Sequence, residues 1–209
     1  MLALAFAMSL AAAHDASADG YRPVGDSREF LRDLAEKTSR VHTIQAKFVQ
    51  NKHLSVFSTD VKSYGRFSWQ SPDKICLDYS TPAKYRIVIN GDRIKTVNGG
   101  RSSTLSLKGN PVMDQMGSLV AACMTGNLES LGNGFRYSVK ESSSGYLIDV
   151  SPVSETVRKY VARMEIYLSS LDMSVTKLVM YENETDYTSY VFTEKKFNEA
   201  VPAAVFDMR

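Results

Sequence analysis

The stretch GRFSWQSPDKICLDYSTPAKYRIVING, residues 65–91, decides the fold. Its apolar residues alternate with polar ones: Phe67 and Trp69, then Ile75, Leu77 and Tyr79, then Tyr85, Ile87 and Ile89. A spacing of two places each set on one face of a strand, so the stretch reads as half-buried strands. Asn90-Gly91 closes the last of them with hairpin chemistry, which makes neighbouring strands antiparallel.

The same alternation extends outward in both directions. Ile44, Ala46 and Phe48 carry it before residue 65. Thr104 to Leu107, Phe135-Tyr137-Val139, Tyr146-Ile148-Val150, Met164-Ile166-Leu168, Val175 to Tyr181 and Tyr187 to Phe192 carry it after residue 91. Asn98-Gly99-Gly100, Asn133-Gly134, Ser144-Gly145, Leu171-Asp172 and Glu182-Asn183-Glu184 supply turns. Two segments change period. Phe30, Leu31, Leu34, Thr38 and Val41 follow a helical spacing that starts near Asp26 or Ser27, with Glu29 in capping-box position. Val112, Met113, Met116, Leu119, Val120, Cys123 and Met124 do the same, so Pro111 to about Leu131 reads as one amphipathic helix or two short ones. About ten antiparallel strands in one sheet curl as twist accumulates. Two helical segments are few to cover the apolar face, so part of that face is expected to remain as a cavity.

At 209 residues the chain suits one domain, here residues 19–209. Its formal net charge of +2, without a dense Lys/Arg run, argues against nucleic acid as a partner. Residues 1–18 read as a signal peptide: an apolar run to Ala13, then Ala16-Ser17-Ala18 as a small-x-small cleavage site. No Lys or Arg precedes the run, which points to a start codon further upstream. No later stretch approaches the roughly 20 apolar residues of a membrane span, and no Cys follows the cleavage site to take a lipid anchor. In the oxidising compartment that a signal peptide implies, Cys76 and Cys123 would be free to pair. Cys76, however, shares a strand face with Lys74 and Asp78, whereas Cys123 sits on the apolar side of the second helix.

Catalytic chemistry is not visible. The motifs HExxH, GxSxG and CxxC are absent, and the histidines are His14, His42 and His53. The last two read as partly exposed residues near strand ends. The glycine pairs fall at turns, without the strand–Gly-rich–helix order of a phosphate cradle. The expectation is a non-enzyme without cofactor or metal. What remains is the apolar face and the Met-bearing helix, whose flexible, polarizable side chains suit a variable apolar cargo and suit an ordinary core equally well.

Ile44-Gln45-Ala46-Lys47-Phe48-Val49-Gln50-Asn51-Lys52 resembles the opening of the LolA family of periplasmic lipoprotein carriers. Gly65 to Pro72, Leu77 to Pro82 and Ile87 to Asp92 are similar to the family's next motifs, and Thr188 to Phe192, Asn198, Val201-Pro202 and Phe206 to its closing one. The resemblance spans about Phe30 to Phe206. It implies a mainly β fold with α: an incomplete, open antiparallel β-barrel of about ten or eleven strands, its concave face covered by an N-terminal helix and an inserted helical lid. It also implies a monomeric periplasmic carrier that takes acylated lipoproteins from an inner-membrane ABC-type release complex and hands them to an outer-membrane acceptor. Phe30, Leu34, Val41, Ile44, Phe48, Phe67, Trp69, Met113, Met116, Leu119 and Val120 occupy the matching cavity and lid positions. Ser71 stands where enterobacterial-type members carry an Arg that latches the lid, and Ser cannot supply that multi-donor cation. The other reading on the same fold is a regulatory module that senses lipoproteins or lipids. A fused partner-binding domain would favour that module, and the chain length leaves no room for one.

Overall fold

The computed structural model of the chain describes residues 20–108, 119, 122 and 128–209. Helix α1 (Ser27–Thr38) starts where the sequence places its cap. The Asp26 carboxylate accepts the backbone N–H groups of Arg28 (2.8 Å) and Glu29 (3.2 Å), pairing donors that the first turn otherwise leaves open. The helix ends at Thr38, whose hydroxyl donates to the Leu34 carbonyl (2.7 Å). Val41, read from its spacing as the end of the helical stripe, therefore lies beyond the helix.

Among the described residues, twelve strands form one antiparallel sheet. They are β1 (Arg22–Pro23), β2 (Thr43–His53), β3 (Val61–Gln70), β4 (Lys74–Thr81), β5 (Tyr85–Asn90), β6 (Arg93–Asn98), β7 (Arg101–Ser106), β8 (Phe135–Ser142), β9 (Gly145–Pro152), β10 (Arg163–Ser169), β11 (Val175–Tyr181) and β12 (Tyr187–Phe197). Their order is β1-β8-β9-β10-β11-β12-β2-β3-β4-β5-β6-β7, so among the described residues β1 and β7 are edges and the sheet does not close into a barrel. The count exceeds the expected ten or eleven because Arg22–Pro23, too short to show any alternation, pairs with β8 at Glu141 and Lys140.

Register fixes which residues share the inner face. Ile44 opposes Trp69, Ala46 opposes Phe67, and Phe48 opposes Gly65 across β2 and β3; Phe67 opposes Leu77 and Trp69 opposes Ile75 across β3 and β4. One cluster holds Ala46, Phe48, Phe67, Trp69 and Ile75. A larger one joins Phe30, Leu31 and Leu34 of α1 to buried residues of β8, β9 and β10, including Val139, Ile148 and Ile166. The Phe30 ring lies 4.7 Å from that of Tyr146. On the outer face, Cys76 and Val88 are buried beneath Phe206, with Val201, Val205 and Met208 packed around them. The alternation thus places Cys76 on the expected face, and the C-terminal segment covers it.

Leu119 and Ala122 are helical and buried. Leu128–Gly134 is a 3-10 turn kinked at Gly132 (φ 53°), so the helix expected to reach Leu131 has given way by Leu128. Met113, Met116, Val120 and Cys123, and with them most of the expected lid, lie outside the described residues. A four-residue helix, α2 (Glu155–Arg158), connects β9 to β10.

Candidate functional site

Between α1 and the inner face of the sheet lies a cavity of about 210 Å³. Phe67 on β3 and Ile148 on β9 both line it, although five strand spacings, roughly 24 Å in a flat sheet, separate those strands. The sheet therefore curves around the cavity, as accumulated twist requires. Leu34 forms part of the helix wall, and Ile44, Ile166 and Phe192 line the sheet side.

Of the residues singled out in the sequence, Leu34, Val41, Ile44 and Phe67 line the cavity. Phe30 and Leu119 are buried in the cluster between α1 and β8–β10. Phe48 and Trp69 are each 1% exposed in the neighbouring β2–β4 cluster. These four support the walls without lining the space. Ser71, at the end of β3, donates its backbone N–H to the His42 carbonyl (2.9 Å) and ties the β3–β4 turn to the start of β2.

Among the described residues, the polar members of the lining are Lys37 and Thr38 at the end of α1, Asp172 and Ser174 in the β10–β11 turn, and Lys195 on β12. Asp172 accepts the Ser174 N–H (3.0 Å) and hydroxyl (2.7 Å). Burial pushes its carboxyl up, but the Ser174 hydrogen bonds and Lys195 outweigh that and hold it below the usual range. The Lys195 ammonium donates to Ser174 Oγ and to the Val175 carbonyl. Burial lowers its pKa, opposed by Asp172.

Sequence periodicity passes over Lys195 for a structural reason. Thr193 pairs with Lys47 and Lys196 with Gln45, so two residues of β12 face one of β2 in a bulge, with Glu194 left-handed at φ 50°. The extra residue brings Lys195 and Phe197 to the cavity. Nothing in the spacing of charged residues signals it. Ile148, Ile166 and Phe192, by contrast, were readable as inner-face positions from alternation alone.

The histidines do not converge. His42 precedes β2, and His53 ends it, bonded to Asp60 (2.7 Å) and stacked on Tyr187. Among the described residues no group of three or more His, Cys, Asp or Glu is arranged to hold a metal.

The sequence profile of the outer membrane lipoprotein carrier protein LolA matches residues 39–209. The chain belongs to the LolA family. Among solved structures, this LolA-family chain is similar to an uncharacterized conserved protein from Thermus thermophilus, at 11% identity over 88% of this chain and 95% of that one, with a TM-score of 0.51. It is also similar to a putative outer membrane lipoprotein-sorting protein domain from Vibrio parahaemolyticus, at 12% identity over 87% and 97% of the two chains (TM-score 0.47). A third similarity is to the Pseudomonas aeruginosa MucA/MucB complex, at 14% identity over 86% of this chain and 59% of that one (TM-score 0.48). At such identities the likeness is one of fold. No curated protein sequence matches the chain.

Proposed function

We propose that the chain is a periplasmic carrier that shields the acyl chains of lipoproteins in the cavity between α1 and the curved sheet. In this reading residues 1–18 are a cleaved signal peptide and 19–209 a single monomeric carrier domain without catalytic activity. Leu34, Val41, Ile44 and Phe67 contact the cargo. Phe30, Phe48, Trp69 and Leu119 hold those walls in place, and Met113, Met116 and Val120 belong to the lid. The cargo arrives from an inner-membrane ABC-type release complex and leaves to an outer-membrane acceptor.

The apolar cavity carries the reading. Its walls come from the curved sheet and a helix, and its polar residues lie at the end of α1, in one turn and at the β12 bulge. Its volume also says how cargo must enter. About 210 Å³ is below the roughly 300–1,000 Å³ of small-molecule pockets, so a multiply acylated cargo needs a wall to move. Helix α1 is one such wall, held by three buried side chains, Phe30, Leu31 and Leu34, each contributing roughly 1.5–3 kcal/mol. One acyl chain burying about ten methylenes returns roughly 8 kcal/mol, which offsets much of the displacement.

The test is native mass spectrometry of the protein purified from periplasm, together with lipoprotein release from spheroplasts. An acylated peptide bound to the protein and release on its addition are expected. A protein that retains no acyl species and releases no lipoprotein would overturn the proposal.

A further inference from the structure

We propose that Lys195, with Lys37, forms an anion seat in the lining of the cavity, and that it takes the anionic head group of an acyl amphiphile. This rests on the acyl-binding reading above and names the head that accompanies the chain.

The placement of Lys195 is the main argument. A regular strand would continue Phe192 in, Thr193 out, and would leave Lys195 on the outer face. The bulge reverses that, at the cost of a left-handed Glu194, a conformation in which a side-chain-bearing residue is strained. Bulges that re-aim one side chain recur beside functional sites. The side chain brought in is a cation bordering an apolar cavity, half-buried, with two neutral acceptors, Ser174 Oγ and the Val175 carbonyl.

Charge among the described residues of the lining is unbalanced in the direction an anion needs. Among the described residues neither Lys195 nor Lys37 forms an ion pair; the lysines that do are Lys47, Lys52, Lys108, Lys140 and Lys196. Among the described residues Asp172 is the one acid in the cavity lining, and its carboxylate is engaged by the Ser174 N–H and hydroxyl. Lys37 also suits the last turn of α1, where a cation favours the helix dipole. Lys195 sits on a strand, where no helix dipole favours a cation. A cation that borders an apolar wall matches a carboxylate or phosphate at the end of an alkyl chain, because the ammonium then gains a charge-assisted hydrogen bond in a partly dry site.

The experiment measures binding of hexadecanoate, hexadecyl phosphate and 1-hexadecanol to the wild-type protein and to Lys195→Met, Lys37→Met and Lys195→Arg. Circular dichroism confirms that each variant is folded. Wild-type protein is expected to hold the anionic amphiphiles about tenfold or more tighter than the alcohol, the worth of one hydrogen bond to a charged group. Lys195→Met should erase that preference, Lys37→Met should reduce it, and Lys195→Arg should keep it. The tighter of the two anions distinguishes a carboxylate from a lipid-phosphate source. Equal binding of anion and alcohol, or a preference that survives in Lys195→Met, overturns the anion seat while the acyl cavity stands. No binding of any of the three overturns both.

Discussion

The Phe48 ring lies where a side chain on Gly65 would be. The two residues oppose each other across β2 and β3, and a Cβ built on Gly65 comes within 2.6 Å of Phe48 Cζ and 2.5 Å of the Asp78 carbonyl oxygen. Glycine is required here for close approach, since the ring fills the space above its backbone. The same ring meets Tyr79 edge-on at 5.0 Å and Tyr190 at 5.8 Å, so the cluster beside the cavity wall is organised around it.

Gly65→Ala should therefore destabilise the protein by about 1–3 kcal/mol, the usual cost of overpacking a filled core. Phe48→Leu in the same chain should recover little, because the Asp78 carbonyl is backbone and cannot turn aside. Urea denaturation followed by the fluorescence of Trp69, the sole tryptophan, measures both. A neutral Gly65→Ala would mean that Phe48 does not occupy that space.

Cys76 is 1% exposed beneath Phe206, and burial pushes its thiol pKa up to about 11, with Arg86 opposing. At pH 8 the thiolate, the reactive form, is then about one part in a thousand. In a Cys123→Ser background, native protein should react with a disulfide reagent such as DTNB far more slowly than unfolded protein, with the rate rising as pH approaches 11. Phe206→Ala should raise the rate at pH 8 by at least about tenfold, by uncovering the thiol and restoring its ordinary pKa, while the circular dichroism of the sheet persists. An unchanged rate would show that the C-terminal segment does not guard Cys76.

These positions mark how far the sequence could be read. Strand alternation gave the inner face from Ile44 to Phe192, and it put Cys76 on the other one, because a period of two needs no knowledge of the partner strand. The Asp26 cap was legible for the same reason, being local. Features made by distant pairing were not. Arg22–Pro23 becomes a strand by lying beside β8, and Val201 to Met208 carry no periodicity that marks them as the cover of Cys76. The cavity was half readable: its apolar walls follow alternation, while Lys195 arrives through a bulge that composition does not announce.

Asp186 joins two loops at the far end of β2 from the cavity. Its carboxylate accepts the Ser55 N–H (2.7 Å) and the Asn183 side-chain amide (3.0 Å), and the Ser55 bond, foremost, holds its pKa near 2 against an ordinary 3.8. A depressed carboxyl pKa contributes stability that is fully present above the unfolded value and is lost as pH falls through the folded one. The Ser55 amide shift, followed by NMR, should stay constant above pH about 4.5 and titrate with a midpoint near 2. Asp186→Asn should abolish that titration. A midpoint near 4 would show that the bond does not form in solution.

Glu194 tests the bulge that turns Lys195 inward. Its left-handed backbone, φ 50°, costs a side-chain-bearing residue about 1–2 kcal/mol, whereas glycine adopts it freely and gives up about 0.5–1 kcal/mol of unfolded-chain entropy instead. The side chain pairs with Lys47 at 2.8 Å, but both groups are more than 60% exposed, so losing that pair costs at most a few tenths of a kcal/mol. Glu194→Gly should then leave stability unchanged or raise it by up to about 1 kcal/mol. Glu194→Val should lower it by more than about 1 kcal/mol, since a β-branched residue tolerates this region least. Thermal denaturation of the two variants against wild type decides. If glycine destabilises and valine does not, β12 runs there as a regular strand and Lys195 faces outward.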